Sequence, residues 1–285
     1  MTDDAAPAYD DFVRYLAAKR TVDDRALNRP VWNDMAAFLN DRPQAAILEV
    51  GAGIGTMVER LAAAGLVGEG AYTAIDAAAT NIEAASERLA PLGLDLTLEA
   101  ADLYAFAARE TGRRQWDLLI AHAVLDLLHL ETALDRLLPL VATGGHLWLT
   151  INFDGVTAFE PPVDLALDAW IEHLYHETMD TRLTNGQPSG DSRTGRRLLP
   201  ALRRQGVAVV NAGPSDWVVW AGPDGYPADE AYFLHFIVST VGRALQGHEA
   251  LAPADLARWL AARHAQIAAG ELVYVAHQLD VLARI

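Results

Sequence analysis

The stretch Ile47-Leu48-Glu49-Val50-Gly51-Ala52-Gly53-Ile54-Gly55-Thr56 decides how the chain is read. An apolar run from Ala45 to Val50, broken only by the carboxylate of Glu49, has the length and composition of a buried strand. Three glycines follow at alternate positions, and then a helical pattern, Met57-Val58-Glu59-Arg60-Leu61. Strand, glycine turn and helix in that order build a site for a nucleotide-like ligand. Glycine permits the tight turn and lets a ligand lie against the backbone, and the helix start offers unsatisfied N–H groups. The spacing is G-x-G-x-G, whereas dinucleotide sites favour G-x-G-x-x-G. Glu49 adds a second distinction: a carboxylate at the strand end opposes a pyrophosphate and suits a ligand that carries an ammonium group.

Outward from this stretch, strand and helix patterns alternate. Ala71 to Asp76 reads as a second strand ending in an acid, and Asn81 to Leu89 as a helix. Leu94 to Ala100 is a third strand, with Asp102 beyond its end as an N-cap for a helix over Leu103 to Arg109. Trp116 to Ala121 is a fourth strand, and Ala133 to Leu138 a short helix weakened by Pro139. Gly144-Gly145 stops it before a fifth strand, His146 to Asn152. Such alternation gives parallel strands with right-handed helical crossovers, whose ligands bind at the carboxyl ends of the strands. Glu49, Asp76, Asp102 and His122 all fall at such ends.

Glu49-Val50-Gly51-Ala52-Gly53-Ile54-Gly55 resembles the E/D-x-G-x-G-x-G signature of the class I S-adenosylmethionine (SAM)-dependent methyltransferases. Asp117-Leu118-Leu119-Ile120, the Val124-Leu125 to Leu128 continuation, and Gly144-Gly145 before a hydrophobic strand are also similar to that family. The resemblance implies a three-layer α/β fold, a doubly wound sheet of seven mostly parallel strands whose antiparallel last strand inserts between the fifth and sixth. It implies SAM as cofactor, with Glu49, Gly51, Ala52, Gly53, Asp76, Ala77, Asp102, Leu103 and His122 as its contacts. Within that set Asp76 takes the ribose hydroxyls, and Asp102 with the Leu103 backbone takes the adenine. Ala121-His122-Ala123-Val124 stands where amino-group methyltransferases acting on adenine or glutamine carry Asn/Asp-Pro-Pro-Tyr/Phe, which argues against those substrates.

The flanking segments carry the rest of the expectation: one domain over residues 1–285, with an N-terminal helical lid at 1–43, a SAM-binding core at 44–153, substrate-cap insertions at 154–190 and 221–270, and a last strand in 271–285. The lid reads as a helix from Tyr9 to Arg20, a loop over 19–29 rich in Lys19, Arg20, Arg25 and Arg29, and a helix opened by Pro30. The loop is either a solvated stretch with local ion pairs or a cover whose arginine, assigned to Arg29, takes the carboxylate of the SAM tail. Asp164 to Arg182 is a helix with Leu167, Trp170, Ile171 and Leu174 on its apolar face and His173 and His176 on the other. A polar loop with Asn185-Gly186, a helix to Arg204, strand pieces at Val207–Val210 and Trp217–Trp220, helices at Ala228–Leu245 and Pro253–Ala269, and an alternating strand at Leu272–Leu282 complete the chain.

Composition narrows the function. The 285 residues carry a net charge of -16, which disfavours nucleic acid as a partner. There is no cysteine, so disulfides and thiolate metal sites are excluded, and no metal is expected. The polar start Met1-Thr2-Asp3-Asp4 carries no secretory pattern and no apolar run reaches spanning length, so a cytoplasmic protein without a membrane partner is expected. The expected function is SAM-dependent methyl transfer to a small organic acceptor, driven mainly by positioning. The alternatives are a non-catalytic SAM-binding or interaction protein and an NAD-dependent oxidoreductase. Only His122 and His173 stand out as candidate catalytic groups, and the choice between monomer and homodimer is open.

Overall fold

The computed structural model describes residues 9–184 and 186–285; Met1 to Asp4 and Asn185 of the expected polar loop lie outside the described residues. The chain opens with α1 (Phe12–Ala26) and α2 (Arg29–Asn40). Asp11 caps the first through Arg14 N, and Asn28 caps the second through Val31 N. The helix α1 is longer than the sequence suggests, so Thr21 to Ala26 are helical where a loop is expected.

The alternating region follows as β1 (Ile47–Val50), α3 (Thr56–Ala63), β2 (Tyr72–Asp76), α4 (Ala79–Leu89), β3 (Leu96–Ala100), α5 (Leu103–Glu110), β4 (Trp116–His122), α6 (Leu130–Leu137) and β5 (Val141–Glu160). Next come α7 (Leu165–Asp180), a small hairpin of β6 (Leu183–Thr184) and β7 (Gln187–Pro188), α8 (Thr194–Arg204), β8 (Ala208–Pro214), β9 (Trp217–Val219), α9 (Glu230–Leu245), α10 (Pro253–Ala268) and β10 (Val273–Arg284).

The main sheet has the order β3-β2-β1-β4-β5-β10-β8, with β9 pairing the outer part of β10. β1 to β5 pair in parallel, and β10 is antiparallel to β5, β8 and β9. This is a Rossmann-like arrangement, with the last strand inserted between the fifth and its outer neighbour. Period-2 alternation splits the strands between two cores. Leu48 and Val50, with Leu119 and Ala121, face α5, α6 and α8. Ile47, Leu118 and Ile120 face the layer that includes α2 and α3 and continues into α7, α9 and α10.

One element departs from expectation in a way that shapes the site. β5 does not end at Asn152 but runs on to Glu160, paired with β10 as far as Glu160 opposite Val273. Between Phe153–Gln278 and Thr157–Ala276 the register shifts, a bulge in which Gly155 takes φ +73°. In sequence, Phe153-Asp154-Gly155 looks like a turn because the glycine and acid break the apolar run. The pairing with β10, supplied from the far end of the chain, overrides that signal. The extended ribbon rises beyond the carboxyl ends of the parallel strands and carries Phe153, Thr157, Tyr274 and Gln278 toward the site. The expected cap at 154–190 therefore begins as strand.

Candidate functional site

The glycine turn after β1 is a backbone feature that only glycine adopts cheaply. Gly51, Gly53 and Gly55 all have positive φ, at +66°, +54° and +78°. A Cβ on Gly51 would lie 2.6 Å from the Val124 side chain, and one on Gly53 would meet Leu16 of α1 at 3.1 Å. The turn is thus a bare backbone floor between α1 and the loop after β4. Gly55 precedes α3 without a side-chain cap, which leaves the first N–H groups of that helix unclaimed by any cap residue.

Two carboxylates flank the floor. Asp76, at the end of β2, accepts from Gly53 N at 2.8 Å through Oδ2, and from Ala78 N and Asn81 Nδ2 at 2.9 and 3.0 Å through Oδ1. Glu49 is buried and accepts the Tyr72 hydroxyl at 2.7 Å. Burial pushes its carboxyl up to about 7, against the opposing pull of the Tyr72 bond and the Arg60 charge.

On the α1 side lies a buried network that the sequence does not reveal. Asp23 accepts from Lys19 Nζ at 2.7 Å, from Trp217 Nε1 at 2.9 Å and from His122 Nε2 at 3.0 Å. His122 Nδ1 lies 2.7 Å from the Thr150 hydroxyl. Since a carboxylate only accepts, His122 carries its proton on Nε2 and accepts the Thr150 hydroxyl on Nδ1. Burial, then the Lys19 charge, lowers His122 to about 4, so the ring is neutral near pH 7 with both nitrogens engaged. Burial would raise the Asp23 carboxyl, but Lys19, His122 and Arg60 outweigh it and hold it well below the ordinary carboxylate range. Lys19 is the only lysine of the chain, and it is buried.

These groups line one cavity of about 350 Å³. Its first part is the glycine floor with Glu49, Asp76, Asn81 and His122, closed by Tyr15, Leu16, Lys19 and Asp23 of α1. Its second part is formed by Asp126 after β4, Phe153 and Thr157 of the extended β5, Tyr175 and Met179 of α7, Trp217, Phe236 of α9, and Tyr274 and Gln278 of β10.

The expected contacts fall into two groups. Glu49, Gly51, Ala52, Gly53, Asp76 and His122 line this cavity. Ala77, Asp102 and Leu103 lie outside its lining; Asp102 is exposed and caps α5 through Ala105 N at 2.9 Å. Arg29 is the exposed first residue of α2, away from the cavity, and the cation that lines the cavity there is Lys19. His173 is exposed and stacks on Trp170, whose own side of α7 is solvent-facing rather than apolar core. The buried face of α7 instead includes Asp168, ion-paired to the buried Arg263 of α10 at 2.7 Å. Asp154 turns away to hold Arg196 at the start of α8, and Asn152 donates to Leu279 O within the ribbon.

The floor suits the adenosyl and amino-acid parts of SAM. It has no side chains to block a flat ligand, an acid at the end of β2 and a buried acid beside the turn, and among the described residues Lys19 is the cation next to it. Residues 48–147 match a family model described as a methyltransferase domain. Among solved structures, the YcgJ protein from Bacillus subtilis superposes with a TM-score of 0.50 at 12% identity, covering 90% of this chain and 97% of that one. YjhP from E. coli gives 0.49 at 15% identity over 90% and 93%. A SAM-dependent methyltransferase from Thiobacillus denitrificans, in complex with S-adenosyl-L-homocysteine, gives 0.48 at 15% identity over 90% and 91%. No curated protein matches the chain in sequence.

Proposed function

We propose that this chain, whose core is a class I methyltransferase domain with SAM as cofactor, transfers the methyl group to a small organic acceptor held in the second part of the cavity. The observation that carries this is the continuity of the cavity: residues of the glycine floor and of an aromatic chamber line one and the same space.

SAM supplies an already activated methyl carbon, so the protein's task is orientation and the exclusion of water. Gly51 to Gly53 would lie beneath the cofactor, and Asp76 would take the ribose hydroxyls. Glu49, when ionised, would hold the ammonium of the amino-acid tail. Lys19, which lines the cavity where Arg29 does not, would take the tail carboxylate while keeping its bond to Asp23. His122 keeps Asp23 and Thr150 in register and, with both ring nitrogens bonded, serves as a positioning residue rather than a base.

Calorimetry with SAM and with NADH tests the cofactor, and transfer of labelled methyl from SAM in the presence of a cell extract tests the catalysis. SAM binding with a labelled small product is the expected result. Binding of NADH in place of SAM overturns the reading, and SAM binding with no labelled product from adequate extracts favours a binding protein.

A further inference from the structure

Ile151 of β5 lines the cavity in a conformation that its own side chain resists. Its φ is +56°, and it is the one β-branched residue among the described residues with a left-handed backbone. Branching at Cβ makes this region costly, so a residue held there is held by its surroundings. The pairing of β5 with β10 shows where the conformation arises. Leu149 pairs with Val281 and Asn152 with Leu279, so Thr150 and Ile151 together oppose the single residue Asp280. Two residues against one is a β-bulge, and a left-handed place in a bulge normally goes to glycine.

The bulge inverts the alternation of the strand. Trp148 belongs to the core on the α2 side of the sheet and Leu149 to the core on the α6 side. A period of two carried onward would place Ile151 and Phe153 with Leu149. Both instead join the core of Trp148, and both line the cavity. Thr150, two residues after Trp148, reaches His122 at 2.7 Å. Thr150, Ile151 and Phe153 therefore all serve the cavity, which a regular strand could not arrange. Asp280 secures the bulge from β10. It is buried, lies outside the cavity lining, and accepts Ile151 N at 2.7 Å through Oδ1 and Asn28 N, at the start of α2, at 2.8 Å through Oδ2. The carboxylate thus takes the N–H of a bulged residue, which the ladder leaves without a partner.

Building on the methyltransferase reading, we propose that Asp280 is a positioning residue for the methyl-transfer site. By holding Ile151 left-handed it sets Thr150 against His122 on the cofactor side, and Ile151 and Phe153 into the wall of the chamber on the acceptor side. The strand keeps an isoleucine where glycine would be relaxed because the side chain is itself part of that wall. The second bond of Asp280, to Asn28 N, offers it a different role, that of fastening α2 whatever stands at position 151. The two roles separate on one point. Glycine adopts positive φ freely, so a role exerted through Ile151 shrinks when that residue is replaced by glycine, and a role exerted through Asn28 does not.

The test combines thermal melting with calorimetric titration of S-adenosyl-L-homocysteine. Ile151→Ala and Ile151→Gly both shorten the wall, but only alanine keeps a Cβ at positive φ. In an ordinary strand glycine is the less stable of the two; here the glycine variant should melt higher, by about 2 °C or more. Asp280→Asn keeps the shape of the side chain but turns an amide NH2 toward one of the two N–H groups. It should weaken S-adenosyl-L-homocysteine about tenfold or more in the otherwise native chain, and about threefold or less in the Ile151→Gly background. The accompanying loss of melting temperature should shrink in the same way. An alanine variant that melts as high as the glycine variant, native affinity in Asp280→Asn, or equal losses in the two backgrounds overturns the proposal. If Asp280→Asn does not fold with Ile151 in place, folding in the Ile151→Gly background supports the proposal and failure in both overturns it. Binding of S-adenosyl-L-homocysteine to the native chain is measured first: its absence defeats the methyltransferase reading, whereas its presence with equal losses in the two backgrounds defeats only this one.

Discussion

At the scale of single residues, the site depends on acids whose partners are set by distant chain. Asp76 holds Gly53, Ala78 and Asn81, and in the proposed function the ribose would share its oxygens. Charged hydrogen bonds contribute about 1.5–3 kcal/mol each, so Asp76→Ala is expected to weaken SAM binding by at least about tenfold in calorimetry. Unchanged affinity would remove Asp76 from the cofactor site. Glu49 makes a pH prediction. With its carboxyl raised to about 7 by burial, it is partly protonated at neutral pH, and in the proposed function only the ionised form would hold the ammonium of the SAM tail. Affinity should therefore rise as pH climbs through about 7 and level off above it. Tyr72→Phe removes a bond that lowers this carboxyl and should move the rise to higher pH, and Glu49→Gln should abolish it. Stability runs the other way. The folded carboxyl holds its proton to about 7 against an ordinary value of 4.5, so this residue's contribution is full at low pH and lost as pH rises from 4.5 through 7. Glu49 and Asp76 were legible because they stand at strand ends beside a glycine turn. Lys19 and Asp23 were not, because what buries them is Trp217, 194 positions along the chain from Asp23. The available sign was weak: a single lysine four residues before an acid on an otherwise apolar helical face.

At the scale of elements, α1 forms part of the cavity wall and is fastened mainly at its two ends to the start of α9. Arg25 grips Glu230 with two bonds of 2.6 and 2.8 Å, and the Thr21 hydroxyl adds a third at 2.6 Å. The Glu230 side chain is fully buried. Nearer the N-terminal end, Arg14 holds Asp229, but both side chains are about half exposed, at 53% and 45%. These pairs look alike in sequence and differ in energy. Truncating a buried carboxylate that satisfies several donors costs about 1–3 kcal/mol. An exposed pair contributes below about 1 kcal/mol. Glu230→Ala should therefore lower the melting temperature by several degrees, at roughly 2–4 °C per kcal/mol, and should speed SAM release in stopped-flow. Arg14→Ala should do little to either. Equal effects from the two variants would mean that burial does not decide how α1 is held. The parallel strands and their helices were readable because each carries its own periodicity. The far half of β5 was not, since its only support is β10, and a bulge at Gly155 hides the alternation that would have disclosed it.

At the scale of the whole molecule, the parallel strands followed from the alternation of strands and helices, and the antiparallel last strand beside the fifth from the family resemblance, while the aromatic chamber assembles from pieces no local pattern joins. Phe153, Tyr175, Phe236 and Tyr274 come from β5, α7, α9 and β10 and meet only after folding. Taken singly, each reads as ordinary core. Net charge is the one global property the sequence states outright, and it leads to a prediction about stability. At -16 the folded chain repels itself, and the unfolded chain relieves that repulsion by expanding. Salt weakens this repulsion and also weakens favourable ion pairs, so the sign of the response depends on where the pairs lie. The strong ones are buried: Lys19–Asp23 and Arg263–Asp168 have side chains no more than 10% exposed and are poorly screened. Pairs such as Arg204–Glu131 and Arg258–Asp255 are about half exposed and contribute little to begin with. Repulsion is thus the larger quantity that salt can remove. Raising sodium chloride from ~10 mM to ~150 mM, which shortens the screening length from about 30 to about 8 Å, should raise the melting temperature. A fall over that range would mean that the exposed pairs hold the molecule together more strongly than its excess of acids pushes it apart.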